Sequence, residues 1–489
     1  MNIPCTVRWS GPALALLATG VLIAPAAGAA PVERPGALPV PVAKAEDFDG
    51  DGYRDVAVAA PHATVEGRAR AGSVAVLYGS RKGEPLARKQ VFRQGHKEIP
   101  GTPGTDDRFG ADVVSADLDR DGYADLMIGV PGESGAGKRY AGAVVAVWGG
   151  PDGLGSATTV LHGVAEYDSS GAVLAAGDFD GDGDTDVVTT DRRQSGQRLV
   201  SGPFGRDGSH AGTVPVPSDQ FGVHTDFATG DVNGDGRTDL VTAGHTTHGG
   251  AYPRSAFHLG TPLGPGHAMK LGGRPFEADN VDMGDINRDG FADIVLGRQG
   301  GLDTDLEVPH SKGGMITWVP GSPSGPVPAR ARALNQDSPG VPGAAEDSDN
   351  FGSGASIGDI DGDRYPDIAV GVASESFGGV NAAGALTVLR GSRTGPTTAG
   401  AQVISQSTPG VPGVAEHKDH FGYESTVVDI NNDGRSEVFT AAIGENGYAG
   451  AVSFLRGTRS GLTGTGAVTF GTGSLGMVAT NAMLGEFND

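Results

Sequence analysis

A nine-residue acidic pattern, Asp-x-Asp/Asn-x-Asp-Gly-x-x-Asp/Glu, returns seven times in this chain of 489 residues and limits its fold more than any other feature. The copies carry Asp47, Asp49, Asp51 and Asp55; Asp117, Asp119, Asp121 and Asp125; Asp178, Asp180, Asp182 and Asp186; Asp231, Asn233, Asp235 and Asp239; Asp285, Asn287, Asp289 and Asp293; Asp359, Asp361, Asp363 and Asp367; Asp429, Asn431, Asp433 and Glu437. Gly fills the sixth position except in the sixth copy, where Arg364 stands. First positions are 70, 61, 53, 54, 74 and 70 residues apart. A unit recurring at such intervals is one supersecondary element that must stack on its neighbours to bury its apolar faces.

The flanks say what the element is. Phe109-Gly110, Phe221-Gly222, Phe351-Gly352 and Phe421-Gly422 open the stretch before the acidic pattern. After it come short apolar runs at 56–60, 126–130, 187–190, 294–296 and 368–370, then runs that begin at Gly72, Gly142, Gly384 and Gly450. A weaker fourth run follows, as at Thr158–Leu161. Runs of 4–8 β-branched and apolar residues bounded by Gly, Pro or Asp read as strands. Gly and Pro number 83 and 31, which disfavours helix interiors. Four strands per unit, seven times, predict an all-β, seven-bladed β-propeller with four-stranded antiparallel blades and an acidic loop in each. A solenoid has shorter units with less room for insertions.

The N-terminus reads differently. Arg8, an apolar stretch from Ala13 to Ala24, and Ala27-Gly28-Ala29 have the layout of a secretory signal peptide over residues 1–29. An uncleaved anchor is the alternative. The lone Cys5 precedes the apolar stretch, so cleavage leaves no cysteine for disulfides or Cys-ligated zinc. Residues 30–42 read as a linker, 43–476 as the propeller, and 477–489 as a ring-closing strand or a tail. Gly485-Glu486-Phe487-Asn488-Asp489 looks like the start of an eighth repeat, by comparison with Gly177-Asp178-Phe179-Asp180. The expected location is extracellular.

Four carboxylates or carboxamides within nine residues of a tight turn repel one another, and burial sharpens the conflict. A hard dication with oxygen ligands removes it. The 1, 3, 5 spacing with Gly at 6 matches the front of an EF-hand calcium loop, whereas the acid at position 9 fits a strand–loop–strand hairpin. The loops hold no His or Cys, which disfavours zinc. Calcium, at up to seven sites, is the expected cofactor. Twenty-five of the 59 acidic residues stand at these positions, so the formal charge of −23 is largely the charge of the loops. Such acidity also repels nucleic acid and anionic membrane.

Phe-Gly pairs, an acidic loop, and Ala59-Ala60-Pro61 or Gly129-Val130-Pro131 recur in that order, and the chain resembles the FG-GAP, integrin α-subunit N-terminal-like, propeller family over about residues 43–476. An Arg-rich basic set, with only 8 Lys, suggests a bacterial secreted member. The resemblance implies a further calcium ligand, the carbonyl at position 7: Tyr53, Tyr123, Asp184, Arg237, Phe291, Tyr365 and Arg435. Repeats three and five depart from it, with Ser170-Gly171 and Asp279-Asn280 in place of Phe-Gly.

Strand alternation puts all seven acidic loops on one face. The second-to-third loops, with His62, Glu66, Arg68, Arg70, Lys138, Arg139, Tyr140, Glu307, His310, Phe377, Asn381, Asn446 and Tyr448, lie on the other. The links between blades share that face and carry Pro339-Gly340-Val341-Pro342-Gly343 ending in Glu346, its twin from Pro409 to Glu416, and a shorter form from Pro100 to Gly104. Variable loops on a rigid scaffold are where function concentrates. The expected role is an extracellular binding or adhesion module for a protein or glycan ligand. The alternative is a lyase or hydrolase acting on polysaccharide or phospholipid. Enzyme signals are thin. Gly354-Ala355-Ser356-Ile357-Gly358 fits a nucleophile motif but runs into an acidic loop rather than a helix, and His245 and His248 lack a helix beneath them.

Overall fold

The computed structural model describes residues 46–96, 98–135, 137–191, 196–217, 222–245, 253–272, 276–300 and 312–487. All lie in one compact unit, Pro41–Asp489. The expected signal peptide and linker fall outside the described residues, as do Phe221, His248, Glu307, His310, Asn488 and Asp489. No helix among the described residues is long and apolar enough to cross a membrane.

Seven antiparallel sheets follow one another along the chain, and blades 2 to 7 are each entered from their innermost strand. Blade 2 is Val113–Ala116, Asp125–Val130, Ala143–Val147 and Ala157–His162. Blade 3 is Leu174–Gly177, Asp186–Asp191, Gly196–Ser201 and Gly212–Pro215. Blade 5 is Asn280–Gly284, Asp293–Arg298, Met315–Val319 and Arg332–Leu334. Blade 6 is Phe351–Gly358, Asp367–Val372, Ala385–Arg390 and Thr397–Ile404. Blade 7 is Phe421–Val428, Glu437–Ala442, Ala451–Thr458 and Gly461–Gly471.

Blade 1 is composite. Val56–Ala60, Ser73–Leu77 and Lys89–Phe92 are joined on the inner side by Glu486–Phe487 from the other end of the unit. Val58 faces Phe487 and Ala59 faces Glu486. The register corrects the comparison with Gly177-Asp178-Phe179. Val113 faces Ile128 in blade 2, the counterpart of Val58, so Phe487 takes the place of Val113 in the first strand. The N–H of Leu484 binds the Ala449 carbonyl and that of Gly485 binds the Ala59 carbonyl, as Phe109 binds Ala71 and Gly110 binds Gly129. Leu484-Gly485 is therefore blade 1's version of the Phe-Gly pair.

Blade 4 departs from the expected four strands. Val223–Gly230, Asp239–His245 and Pro253–His258 form a three-stranded sheet, and Gly260–Thr261 with Gly264–Pro265 forms a separate ribbon. Among the described residues only a single bridge, Phe257 to Met269, stands where an outer strand would run. Pro262, Pro265, Gly264 and Gly266 crowd this stretch, and Pro removes ladder donors while Gly weakens strand interiors.

Small and β-branched residues let the blades stack closely. Ala57, Ala59, Val74 and Val76 of blade 1 pack on Leu126, Ile128, Val145 and Val147 of blade 2. Across the closure, Val56, Val58, Leu484 and Phe487 join Phe439 and Phe454 of blade 7. The Gly that opens the third strand of blades 1 and 6 is required by a close approach. Gly72 has φ +90°, and a Cβ there would lie 2.1 Å from the Phe109 carbonyl oxygen; at Gly384, φ +85°, it would lie 2.2 Å from that of Phe421. Around the axis, inner strands tie blade to blade. Asp112 accepts the Leu174 N–H, Asp226 that of Val281, Asp282 that of Ile357, and Ser356 that of Val427.

Candidate metal centres

In blades 2 to 7 the acidic loop joins the first and second strands, and in blade 1 it leads into Val56–Ala60. One hydrogen-bond frame shapes all seven. The position 6 N–H binds the position 1 carboxylate: Gly52 to Asp47, Gly122 to Asp117, Gly183 to Asp178, Gly236 to Asp231, Gly290 to Asp285, Arg364 to Asp359 and Gly434 to Asp429, at 2.8 to 3.0 Å. The position 7 N–H binds position 5: Tyr53, Tyr123, Asp184, Arg237, Phe291, Tyr365 and Arg435 reach Asp51, Asp121, Asp182, Asp235, Asp289, Asp363 and Asp433 at 2.8 to 3.2 Å. Arg364 adopts φ +79°, against +92° for Gly52, so the sixth loop keeps the same turn without its Gly.

Position 2 anchors the loop, a role that the sequence reading missed. Phe48, Leu118, Phe179, Val232, Ile286, Ile360 and Ile430 are all buried. An invariably apolar residue between two polar ones was the available signal. Position 9 is buried as well. Asp125 accepts the N–H of Leu118 at 2.9 Å and of Gly149, past the third strand, at 2.7 Å. Asp55 does the same with Phe48 and Gly79. Four of the loops are also held by the next blade: the N–H of Ala124, Thr238, Ala292 and Ser436 binds the position 1 carbonyl of Asp47, Asp178, Asp231 and Asp359.

The structure brings positions 1, 3 and 9 together. Asp47, Asp49 and Asp55 place carboxylate oxygens within 4.8 Å of one another, as do Asp117, Asp119 and Asp125, Asp178, Asp180 and Asp186, and Asp359, Asp361 and Asp367. In loops four, five and seven, position 3 is Asn233, Asn287 or Asn431. Its Oδ1 accepts the position 5 N–H at 2.8 to 2.9 Å. The position 5 acids stay outside the three-carboxylate groups.

Burial is the first cause that raises the position 9 acids, and the neighbouring carboxylates add to it. Asp55, Asp125 and Glu437 are pushed up to about 8, Asp367 to about 7, and Asp186, Asp239 and Asp293 to about 6. Backbone N–H groups offset part of this. Arginines neutralise the outer rim: Arg206 holds Asp119 and Asp121, each at 2.6 Å, Arg390 holds Asp361 at 2.5 Å, and Arg88 pairs with Asp49. Arg206 takes Oδ2 of Asp119 and leaves Oδ1, which is buried with no hydrogen-bond partner, as is Oδ1 of Asp47. Orphaned carboxylate oxygens inside an all-oxygen loop fit a Ca2+ ion.

Ser356 lies within the strand Phe351–Gly358, and its Oγ is engaged by the Val427 N–H at 3.0 Å. His245 faces Asp279 at 3.3 Å. On the opposite face, Arg70 pairs with Asp106, and Tyr140 stacks on Tyr167 with ring centres 5.8 Å apart. Tyr448 is exposed.

Seven sheets in sequence, closed by a strand from the far end and carrying an acidic turn in each unit, define a β-propeller with candidate Ca2+ loops. Its repeats have a known counterpart. A profile described as FG-GAP repeat matches residues 42–77, 109–147 and 351–389, so these three stretches carry the FG-GAP repeat. Phosphatidylinositol-glycan-specific phospholipase D of Rattus norvegicus is 29% identical over 219 residues, 44% of this chain and 25% of the relative. The Bos taurus protein of that name is 33% identical over 144 residues, 29% of this chain and 17% of the relative. Integrin alpha-PS2 of Drosophila melanogaster is 29% identical over 225 residues, 42% of this chain and 15% of the relative. The chain thus spans a quarter or less of the length of these relatives.

Proposed function

We propose that this chain is a secreted binding or adhesion module whose propeller is stabilised by structural Ca2+, with an extracellular protein or glycan as its ligand. The observation that carries the calcium reading is the repeated loop frame, with Asp47 Oδ1 and Asp119 Oδ1 buried and unpartnered. Positions 1, 3, 5 and 9 and the position 7 carbonyl supply the ligands. The ions neutralise carboxylates that burial otherwise penalises and hold each loop in its turn. Extracellular calcium modules bind at roughly 10⁻⁴–10⁻³ M, so each site contributes about 0.4–1.4 kcal/mol in roughly 1 mM calcium. Seven such sites sum to roughly 3–10 kcal/mol, comparable with a domain's whole stability. The ligand surface is the face opposite the loops, where the exposed aromatic and charged loop residues gather.

The second reading, a propeller lyase or hydrolase acting on extracellular polysaccharide or phospholipid, is favoured by the phospholipase matches. Thermal melting in Ca2+ and after chelation tests the metal reading: a melting temperature unchanged by chelation defeats it. Glycan-array binding without turnover supports the module. Release of a lipid or glycan fragment from a phosphatidylinositol-glycan substrate supports the second reading instead.

A further inference from the structure

The blade links carry a second set of acids, on the face away from the loops, that the loop sites do not use. At the junction of blades 6 and 7, Glu416 and Asp419 of the link and Glu445, beyond the second strand of blade 7, place carboxylate oxygens within 4.8 Å of one another. Asp419 is buried, and its Oδ2 accepts the Glu416 N–H at 2.7 Å. Among the described residues no ion pair reaches these three acids. Burial raises Glu445 above its ordinary value, and the charges of Asp419 and Glu416 raise it further.

A separate observation points to a ligand. Gln406 is only 5% exposed, and its Nε2 donates to Glu445 Oε2 at 2.7 Å, so its carboxamide lies against the cluster. Oε1 of that carboxamide is buried and has no hydrogen-bond partner. A half-turn about the last side-chain torsion exchanges the two atoms and presents a neutral oxygen beside three carboxylates. A buried oxygen without a donor costs stability, and an oxygen-seeking cation satisfies it together with the acids.

Two sister junctions act as internal controls. Gln94 donates to Glu133 and Gln336 to Glu375 with the same separation of 39 residues, and each leaves its own Oε1 unpartnered. Between blades 1 and 2, Gly104 takes the place of Glu416: its N–H binds Asp107, as that of Glu416 binds Asp419. Between blades 5 and 6, Glu346, Asp349 and Glu375 repeat the acids, but Lys312 adds a positive charge that offsets a small part of the rise that burial and the two Glu cause at Asp349. Ala382 occupies the place of Lys312 at the third junction, since the residue after each gives its carbonyl to the following Phe N–H, Gly313 to Phe351 and Ala383 to Phe421. Only the junction with three acids and no lysine gathers its carboxylates closely.

We propose that Glu416, Asp419 and Glu445, with Oε1 of Gln406, form a Ca2+ site that joins blade 6 to blade 7 on the face opposite the acidic loops. The ion ties the link, through Glu416 and Asp419, to the blade it leads into, through Glu445.

Anomalous diffraction from crystals of the full chain grown in Ca2+ tests this directly, with equilibrium dialysis counting ions per chain. A peak within coordination distance of Asp419 and Glu445, and one ion fewer in Glu445→Gln and in Ala382→Lys, is the expected result. Ala382→Lys guards against a folding defect. Ala382 has φ +51°, and Arg70 and Tyr140 hold long side chains at the matching place with φ +52° and +50°. Occupied loops with no peak at the cluster overturn the proposal and leave the loop reading intact. A peak at the cluster with empty loops does the reverse. An unchanged ion count in both variants also overturns it.

Discussion

The two faces of the propeller obey different rules. On the loop face, the position 6 and position 7 hydrogen bonds recur seven times, and even Arg364 is bent into the turn that Gly makes elsewhere. On the opposite face, the Gln–Glu–Asp junction recurs three times and varies at each. The difference lies in what the backbone needs. In five of the loops one buried carboxylate satisfies two main-chain donors of its own blade, so a change there strands both N–H groups at once. The link and second-to-third loops satisfy their donors locally, and their side chains are free to differ.

The contrast is sharpest for single acids. Asp125→Ala leaves the N–H groups of Leu118 and Gly149 without their acceptor. At about 1–3 kcal/mol for each stranded buried donor, the expected loss is roughly 2–6 kcal/mol. Glu133→Gln, on the opposite face, keeps shape and hydrogen bonding and should cost less than about 1 kcal/mol, the usual ceiling for a change that breaks no such feature. Urea unfolding of both variants in Ca2+ measures the gap, and equal losses would erase the distinction between the faces.

The next effect is on pH. In calcium-free protein the position 9 acids hold their protons more tightly than in the unfolded chain, where carboxyls titrate near about 4. Their contribution is therefore full below about pH 4 and is lost as pH rises towards the folded values of about 6 to 8. The melting temperature in chelator should fall from pH 6 to pH 8.5. Calcium favours the ionised carboxylates and should flatten or reverse that slope. A slope unaffected by calcium would separate these acids from metal binding.

The smallest effect is at the one loop that breaks the glycine rule. Arg364→Gly relieves a left-handed residue at a cost of unfolded-state entropy, for a net gain of about 0.5–1 kcal/mol. Thermal melting reads it directly, and a loss would mean that the Arg364 side chain contributes more than its backbone strain.

Much of this was legible in the chain. The acidic positions, the Gly turn and the strand runs are local, and local sequence carries turn and strand chemistry. The apolar position 2 was visible in Phe48, Leu118 and Val232 but unread. Leu484-Gly485 escaped because its Phe was replaced, and Gln406 with Glu445 because a separation of 39 residues has no meaning before the blades are stacked. Blade 4 lost its outer strand where Pro and Gly crowd the chain, although the repeat count alone suggested four.

What the sequence determined by itself was the unit: an acidic turn between short strands, repeated seven times, because turn geometry and side-chain alternation are set within a few residues. What only the tertiary structure decided was which distant residues meet. Glu486 finds Ala59, Arg206 finds Asp119, and Gln406 finds Glu445, since those contacts depend on how the sheets rotate and close on one another.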